Sequence, residues 1–316
     1  MKKHFAILST LIFILAVMAG CGNDTATPAV SDKNIFCAVT DDAGRTVELA
    51  KKPERIVVVS ASFLEPLNAV GGEVVGRPIS KNKVPDFAKD AAEIGAVYQI
   101  DTEKLLACKP DFVIINKGMN ERLSNILEEN KIPFVIVDMK TYDNVKKNIE
   151  MFAAITGNPD KGKSVVEEMD AKIKNIVDAL PKESKRVAIL HGTSQGLSVQ
   201  LDNSIAGNVL KILGCQNVAA ESADFDETKD TAPYSLETLI EQNPEIILMT
   251  SMGNIDEIKA AMDKRISENP AWQTIPAIQN NQFYYLPQDL FLLSPGIRYP
   301  DAVEFVAKIL YPEAVK

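Results

Sequence analysis

Short apolar runs and polar breaks alternate along the chain in two blocks. In the first block, Arg55–Ser60, Lys109–Ile115 and Phe134–Asp138 are rich in valine, isoleucine and phenylalanine. Their apolar positions are continuous rather than alternating. Each therefore predicts a strand buried on both faces, as in a parallel sheet. Helical stretches separate them, which is an α/β pattern. Upstream, Val39–Leu49 predicts two short strands around a turn containing Gly44. From Asp143 to Leu180 the pattern is helical, with one break at Gly157-Asn158-Pro159. A helix from about Asp160 to Leu180 would span roughly 30 Å at about 1.5 Å per residue. After Pro181 the α/β pattern restarts. Arg186–His191, Pro244–Met249 and Phe283–Leu286 predict strands, a helix ends at Gly214, and Pro300–Leu310 predicts a closing helix.

The two blocks repeat each other. Asp101–Ile115 and Ser235–Met249 share a pattern in which Glu103 precedes Pro110, and Glu237 precedes Pro244, by seven positions. Arg55 and Arg186 each open a strand. The expected fold is two α/β lobes with mostly parallel sheets, joined by one long rigid helix. The expected segments are 39–142 for the N-terminal lobe, 143–182 for the helical connector and 183–316 for the C-terminal lobe. A ligand is expected between the lobes, outside the carboxyl ends of the strands.

Before residue 39 the chain reads as an address. Lys2 and Lys3 precede the mostly apolar run Phe5–Ala19, which is short for a membrane span of roughly 20 residues. It fits a secretory signal over residues 1–20. The sequence Val17-Met18-Ala19-Gly20-Cys21 resembles a bacterial lipoprotein signal. The resemblance implies cleavage before Cys21, lipidation of its thiol and anchoring on the outer face of the cytoplasmic membrane. Residues 21–38 are then a polar tether.

Composition narrows the function. The 316 residues carry 34 basic and 43 acidic side chains, a formal charge of −9. Loss of Lys2 and Lys3 would take it to −11. An acidic chain without clustered Lys/Arg argues against nucleic acid as a partner. There are 2 histidines, and one is His4, so a His-rich metal cluster is excluded. Cys37, Cys108 and Cys215 have no metal-binding or CxxC spacing and read as small, buried or half-buried thiols. Gly157–Ser164 matches GxxxxGK[ST] letter for letter, but the segment before it reads as helix where a phosphate loop needs a strand. It is expected to be a helix end, a turn and a new helix start. No Ser/His/Asp or Cys/His arrangement stands out, so an enzyme is not expected. Trp272 is expected to anchor locally within the second lobe.

The chain resembles the substrate-binding proteins of ABC importers for iron-siderophore, heme and cobalamin. The resemblance covers about residues 39–312. It rests on Asp41-Asp-Ala-Gly-Arg45, on the duplicated Glu…Pro segments and on Ser294-Pro-Gly-Ile-Arg-Tyr-Pro-Asp301. It implies a monomer that performs no chemistry and docks on a membrane permease through one exposed Glu per lobe, here Glu103 and Glu237. Within the family, Val75–Pro78 and Glu93–Tyr98 are similar to heme-receptor lipoproteins of Gram-positive type. There the position of Tyr98 carries a Met, and that of Met252 a His, that ligate heme iron. This chain departs at both, yet Tyr and Met are themselves competent iron ligands. Heme held by Tyr98 and Met252 is therefore expected, with a ferric siderophore or cobalamin as the alternative. His191, at the end of its predicted strand, is a third candidate ligand. Arg77, Lys117 and Arg298 are candidate partners for ligand carboxylates. Phe63, Met119, Leu290 and Phe291 are candidate apolar walls.

Overall fold

The computed structural model describes residues 35–80, 84–221 and 228–315. The expected leader, the lipidation site Cys21 and most of the tether lie outside these residues. The chain opens with a hairpin of β1 (Cys37–Thr40) and β2 (Thr46–Leu49). Asp41 ties this hairpin to the first lobe. Its carboxylate accepts from the backbone N–H groups of Ala43, Arg45 and Ile136 and pairs with Arg45 at 2.7 Å. Burial pushes the Asp41 carboxyl up, but the hydrogen bonds from Arg45 and Ile136 and the Arg45 charge outweigh it and leave it lowered.

The N-lobe then runs β3 (Ile56–Val58), α1 (Leu64–Ala69), β4 (Val74–Ile79), β5 (Ala92–Ala96) and β6 (Gln99–Ile100). It continues with α2 (Thr102–Ala107), β7 (Phe112–Asn116), α3 (Ser124–Glu129) and β8 (Phe134–Val137). Its sheet order is β6-β5-β4-β3-β7-β8, parallel except for the β5–β6 pair. Each of the three continuous apolar runs became a strand buried on both faces. Val57 and Val113 pack on one side and Val58 and Ile114 on the other. The strands β4 and β5 were not legible, because Gly76, Pro78 and Gly95 interrupt them.

Two helices connect the lobes, α4 (Tyr142–Ile155) and α5 (Pro159–Asp178). The break between them is a glycine in the left-handed region, Gly157 with φ 74°, followed by Pro159 at the start of α5. The phosphate-loop letters therefore lie on a helix end and the first turns of α5. Gly162 sits where α5 crosses α4, and a Cβ there would come within 2.5 Å of Ala153.

The C-lobe holds β9 (Arg186–Thr193), β10 (Gly196–Gln200), α6 (Ile205–Ile212), β11 (Gln216–Asn217) and β12 (Thr231–Pro233). It ends with α7 (Leu236–Gln242), β13 (Ile246–Met252), α8 (Ile255–Glu268), α9 (Pro276–Gln279), β14 (Phe283–Tyr285), α10 (Gln288–Phe291) and α11 (Tyr299–Leu310). The order is β12-β10-β9-β13-β14, with β11 also beside β9. Here β9, β13 and β14 are parallel, while β10 pairs antiparallel with both β9 and β12.

One continuous apolar core runs through both lobes. It joins Val58, Phe112 and Val135 to Phe152, Met169 and Ile173 of the connector, and then to Ile189, Leu248 and Val303. Each such buried side chain contributes about 1.5–3 kcal/mol. Separation of the lobes would expose many of them at once, so the joint is stiff. The segment Ser294–Asp301 seals it. Gly296 has φ 57°, and a Cβ there would meet Pro66 of α1 at 2.7 Å. The buried Tyr299 hydroxyl reaches the carbonyl of Lys140 at 3.1 Å and Asn208 Oδ1 at 2.9 Å. Trp272 is fully buried and stacks on Tyr234 within the C-lobe. Cys37, Cys108 and Cys215 are free thiols, and burial pushes those of Cys37 and Cys108 up.

Candidate functional site

In the N-lobe sheet the connections change direction between β3 and β7. Ligands of α/β sheets bind at such a point, outside the carboxyl ends of the strands. Ser62 and Phe63 follow β3, and Asn116–Met119 close β7. Facing them from the C-lobe are Gln200, Ser204, Asp230 and Phe291–Ser294. Together they line a cavity of about 310 Å³ between the lobes. A smaller space of about 160 Å³ shares Ser62, Leu293 and Ser294 with it and extends to Arg77, Pro85 and Arg298. The two form one cleft, near the lower end of the roughly 300–1,000 Å³ usual for ligand sites.

The structure brings Phe63, Lys117, Met119 and Phe291 together in the larger space and Arg77 and Arg298 in the smaller one. Phe63 and Phe291 are almost fully buried, so they wall the cleft from the core side. Leu290 lies in the core behind Phe291. Lys117 Nζ donates to the carbonyl of Asp42 at 2.8 Å. Both arginines reach the cleft with their charge already engaged. The buried Arg77 donates to the carbonyls of Ala88 and Pro78 and pairs with Glu93 at 3.1 Å. Arg298 pairs with Asp289 and Asp301, each at 3.1 Å. Burial pushes its pKa down, but the hydrogen bonds it donates to those two carboxylates, and their charge, outweigh this and leave it raised.

Tyr98 and Met252 stand apart from the floor of this cleft. Tyr98 is on the turn between β5 and β6 and is 70% exposed. That turn is pinned from behind, because Asn120 donates to the Val97 carbonyl at 2.7 Å and Arg122 to the Tyr98 carbonyl at 2.9 Å. The phenol is thus presented outward from a fixed backbone. Met252 ends β13 and is 53% exposed. It lines a groove of about 350 Å³ formed with the β9–β10 turn and α8.

His191 does not end its strand. The strand β9 continues to Thr193 and folds back as β10, so His191 pairs across the sheet with Ser198 and Thr250. Its Nδ1 lies 2.9 Å from Thr250 Oγ1. Burial lowers its pKa, opposed by the Asp230 carboxylate. The hairpin was missed because Gly192 and Gly196 interrupt the apolar run.

Three polar residues of the cleft had no signal in the sequence. Lys140 follows β8, and its Nζ lies 2.6 Å from Asp230 Oδ2 of the other lobe. Gln200 is 9% exposed, and its Oε1 has no hydrogen-bond partner. Each is a single polar residue at an element end, and only the packing of two lobes makes them neighbours.

Glu103 and Glu237 occupy the second position of α2 and α7. The caps differ in chemistry but match in place. Asp101 accepts from the N–H groups of Glu103 and Lys104, and Ser235 from that of Thr238. Both glutamates are exposed, and neither has an ion-pair partner among the described residues. Each helix end is already capped, so both carboxylates remain available.

Residues 56–290 match the family model described as periplasmic binding protein. An ABC transporter substrate-binding lipoprotein of Bacillus subtilis, YvrC, is 25% identical over 100% of both chains. The Fe(3+)-citrate-binding protein YfmC of the same organism is 26% identical over 94% of this chain and 93% of its own. Staphylococcus aureus IsdE complexed with heme has a similar fold. Its TM-score is 0.73 at 23% identity, covering 81% of this chain and 98% of that one. With its two α/β lobes, through-running connector and cleft at the strand ends, the chain belongs to the periplasmic binding protein family.

Proposed function

We propose that this protein is an exported, lipid-anchored receptor that holds heme between its lobes and delivers it to an ABC permease through Glu103 and Glu237. The supporting observation is a set of exposed side chains at strand ends. Tyr98, Met119 and Met252 are large, exposed side chains at the carboxyl ends of strands, contributed by both lobes. Large exposed apolar groups at the strand ends of two lobes suit a ligand surface. A phenolate and a thioether are also axial ligands for heme iron. The cavity takes one edge of the macrocycle, and Tyr98 and Met252 approach its two faces from opposite lobes. Lys117 then meets a propionate.

A second reading is a ferric siderophore or ferric citrate. The polar floor at Gln200, Lys117 and Lys140 favours it, as does the relative named for Fe(3+)-citrate. In either reading the protein binds and hands over without chemistry.

Titration of purified protein with hemin, read by absorbance, tests the first reading. The expected result is a saturable one-to-one Soret shift whose position changes in Tyr98→Phe and in Met252→Ala. Binding no stronger than to an unrelated acidic protein would falsify heme as the cargo. A Soret band unchanged in both variants would remove Tyr98 and Met252 as ligands.

A further inference from the structure

We propose that Lys140 is the anchor for an anionic group of the cargo, and that Asp230 competes for this anchor as an internal stand-in. The proposal rests on the reading that the inter-lobe cleft is the cargo site. Lys140 comes from the N-lobe and Asp230 from the C-lobe, and both line the larger cavity. Their 2.6 Å contact spans the cleft. Each residue is held by its backbone and not by this contact. Lys140 N–H donates to Asp138 Oδ1, and the Lys140 carbonyl accepts from the Tyr299 hydroxyl. The Asp230 carbonyl accepts from Leu201 N–H. The two side chains can therefore change partners without moving the fold.

The pair also contributes little to joining the lobes. Its side chains are 47% and 39% exposed, so water and salt screen it. The common apolar core does the joining. A weak ion pair at the place a ligand must enter is readily exchanged. Two neighbours suit the ligand that replaces Asp230. Lys117 has no carboxylate partner among the described residues. Gln200 is buried in the same cavity with an unpartnered Oε1, where buried polar groups are ordinarily satisfied. Its free atom is an acceptor, which calls for a hydroxyl or N–H of the cargo. Two ammonium groups fit the carboxylates of a cargo, and the free acceptor beside them fits a hydroxyl on it. Asp230 turns to water when such a group binds, and a neutral complex gains nothing from the exchange.

The test is titration of wild type, Asp230→Asn, Lys140→Gln and the double variant with hemin, hemin dimethyl ester and ferric citrate. Asp230→Asn frees the anchor, so hemin or ferric citrate binds about two- to fivefold tighter. The ester, without free carboxylates, shows no gain. Lys140→Gln weakens the anionic probes, and in that background Asp230→Asn adds nothing. If the gain persists without Lys140, or extends to the ester, the anchor is elsewhere. If neither iron probe binds wild type, the cargo reading fails, and the anchor is judged with citrate alone. It stands if citrate raises the melting temperature of Asp230→Asn but not of the double variant. It falls if no anion gains on Asp230→Asn.

Discussion

Single side chains in this protein take their role from what surrounds them. His191 is a ligand candidate as a letter in the sequence, but in the fold its ring is bonded to Thr250 within the sheet. Burial lowers its pKa from the ordinary value of about 6.5. Below that ordinary value the unfolded chain takes a proton that the folded chain resists. Stability is then lost as pH falls from about 6.5 towards the lowered folded value, and the His191 contribution is flat above. Urea unfolding between pH 5 and 8 should show wild type losing more stability on acidification than His191→Gln. Equal slopes would mean that the imidazole is not held neutral. Arg77 and Arg298 make the same point. Both are cations beside the cleft, yet carbonyls and carboxylates of the fold already hold them.

Among the elements, the connector shows how a helix pair encodes a joint. The letters of a phosphate loop occur on it, and the helices on either side give them another meaning. Gly162 lets α5 pass close to Ala153 of α4. Gly162→Val should therefore destabilise by about 1–3 kcal/mol through overpacking, despite the better intrinsic helix propensity of valine. Thermal unfolding measures it. Ala153→Gly in the same chain should recover part of the loss, and no recovery would place the strain elsewhere. Strands split along a similar line. Continuous β-branched runs were legible as β3, β7, β8, β9 and β13. Strands carrying Gly or Pro, such as β4, β5 and β10, were not, because neighbours supply the pairing that local propensity lacks.

For the whole molecule, the two lobes and their shared core fix the relative positions of Glu103 and Glu237. A pair of exposed carboxylates on a stiff frame suits recognition by two basic sites on one partner. Glu103→Lys and Glu237→Lys should leave ligand affinity unchanged, because neither residue lines the cleft. Each should slow uptake by cells that depend on this protein, and the double variant should abolish it. Uptake at the wild-type rate by the double variant would exclude these residues from docking.

Composition, periodicity and the internal repeat determined the α/β class, the two lobes, the connecting helices and the repeated Glu positions. These features follow from local rules of burial and capping that each segment obeys alone. The tertiary structure decided the interior of the cleft. The opposition of Lys140 and Asp230, the orphaned Gln200 oxygen and the engagement of Arg77 and Arg298 arise only when distant segments pack together. No periodicity records such contacts, because a polar residue at an element end reads as solvent-facing until a second lobe covers it.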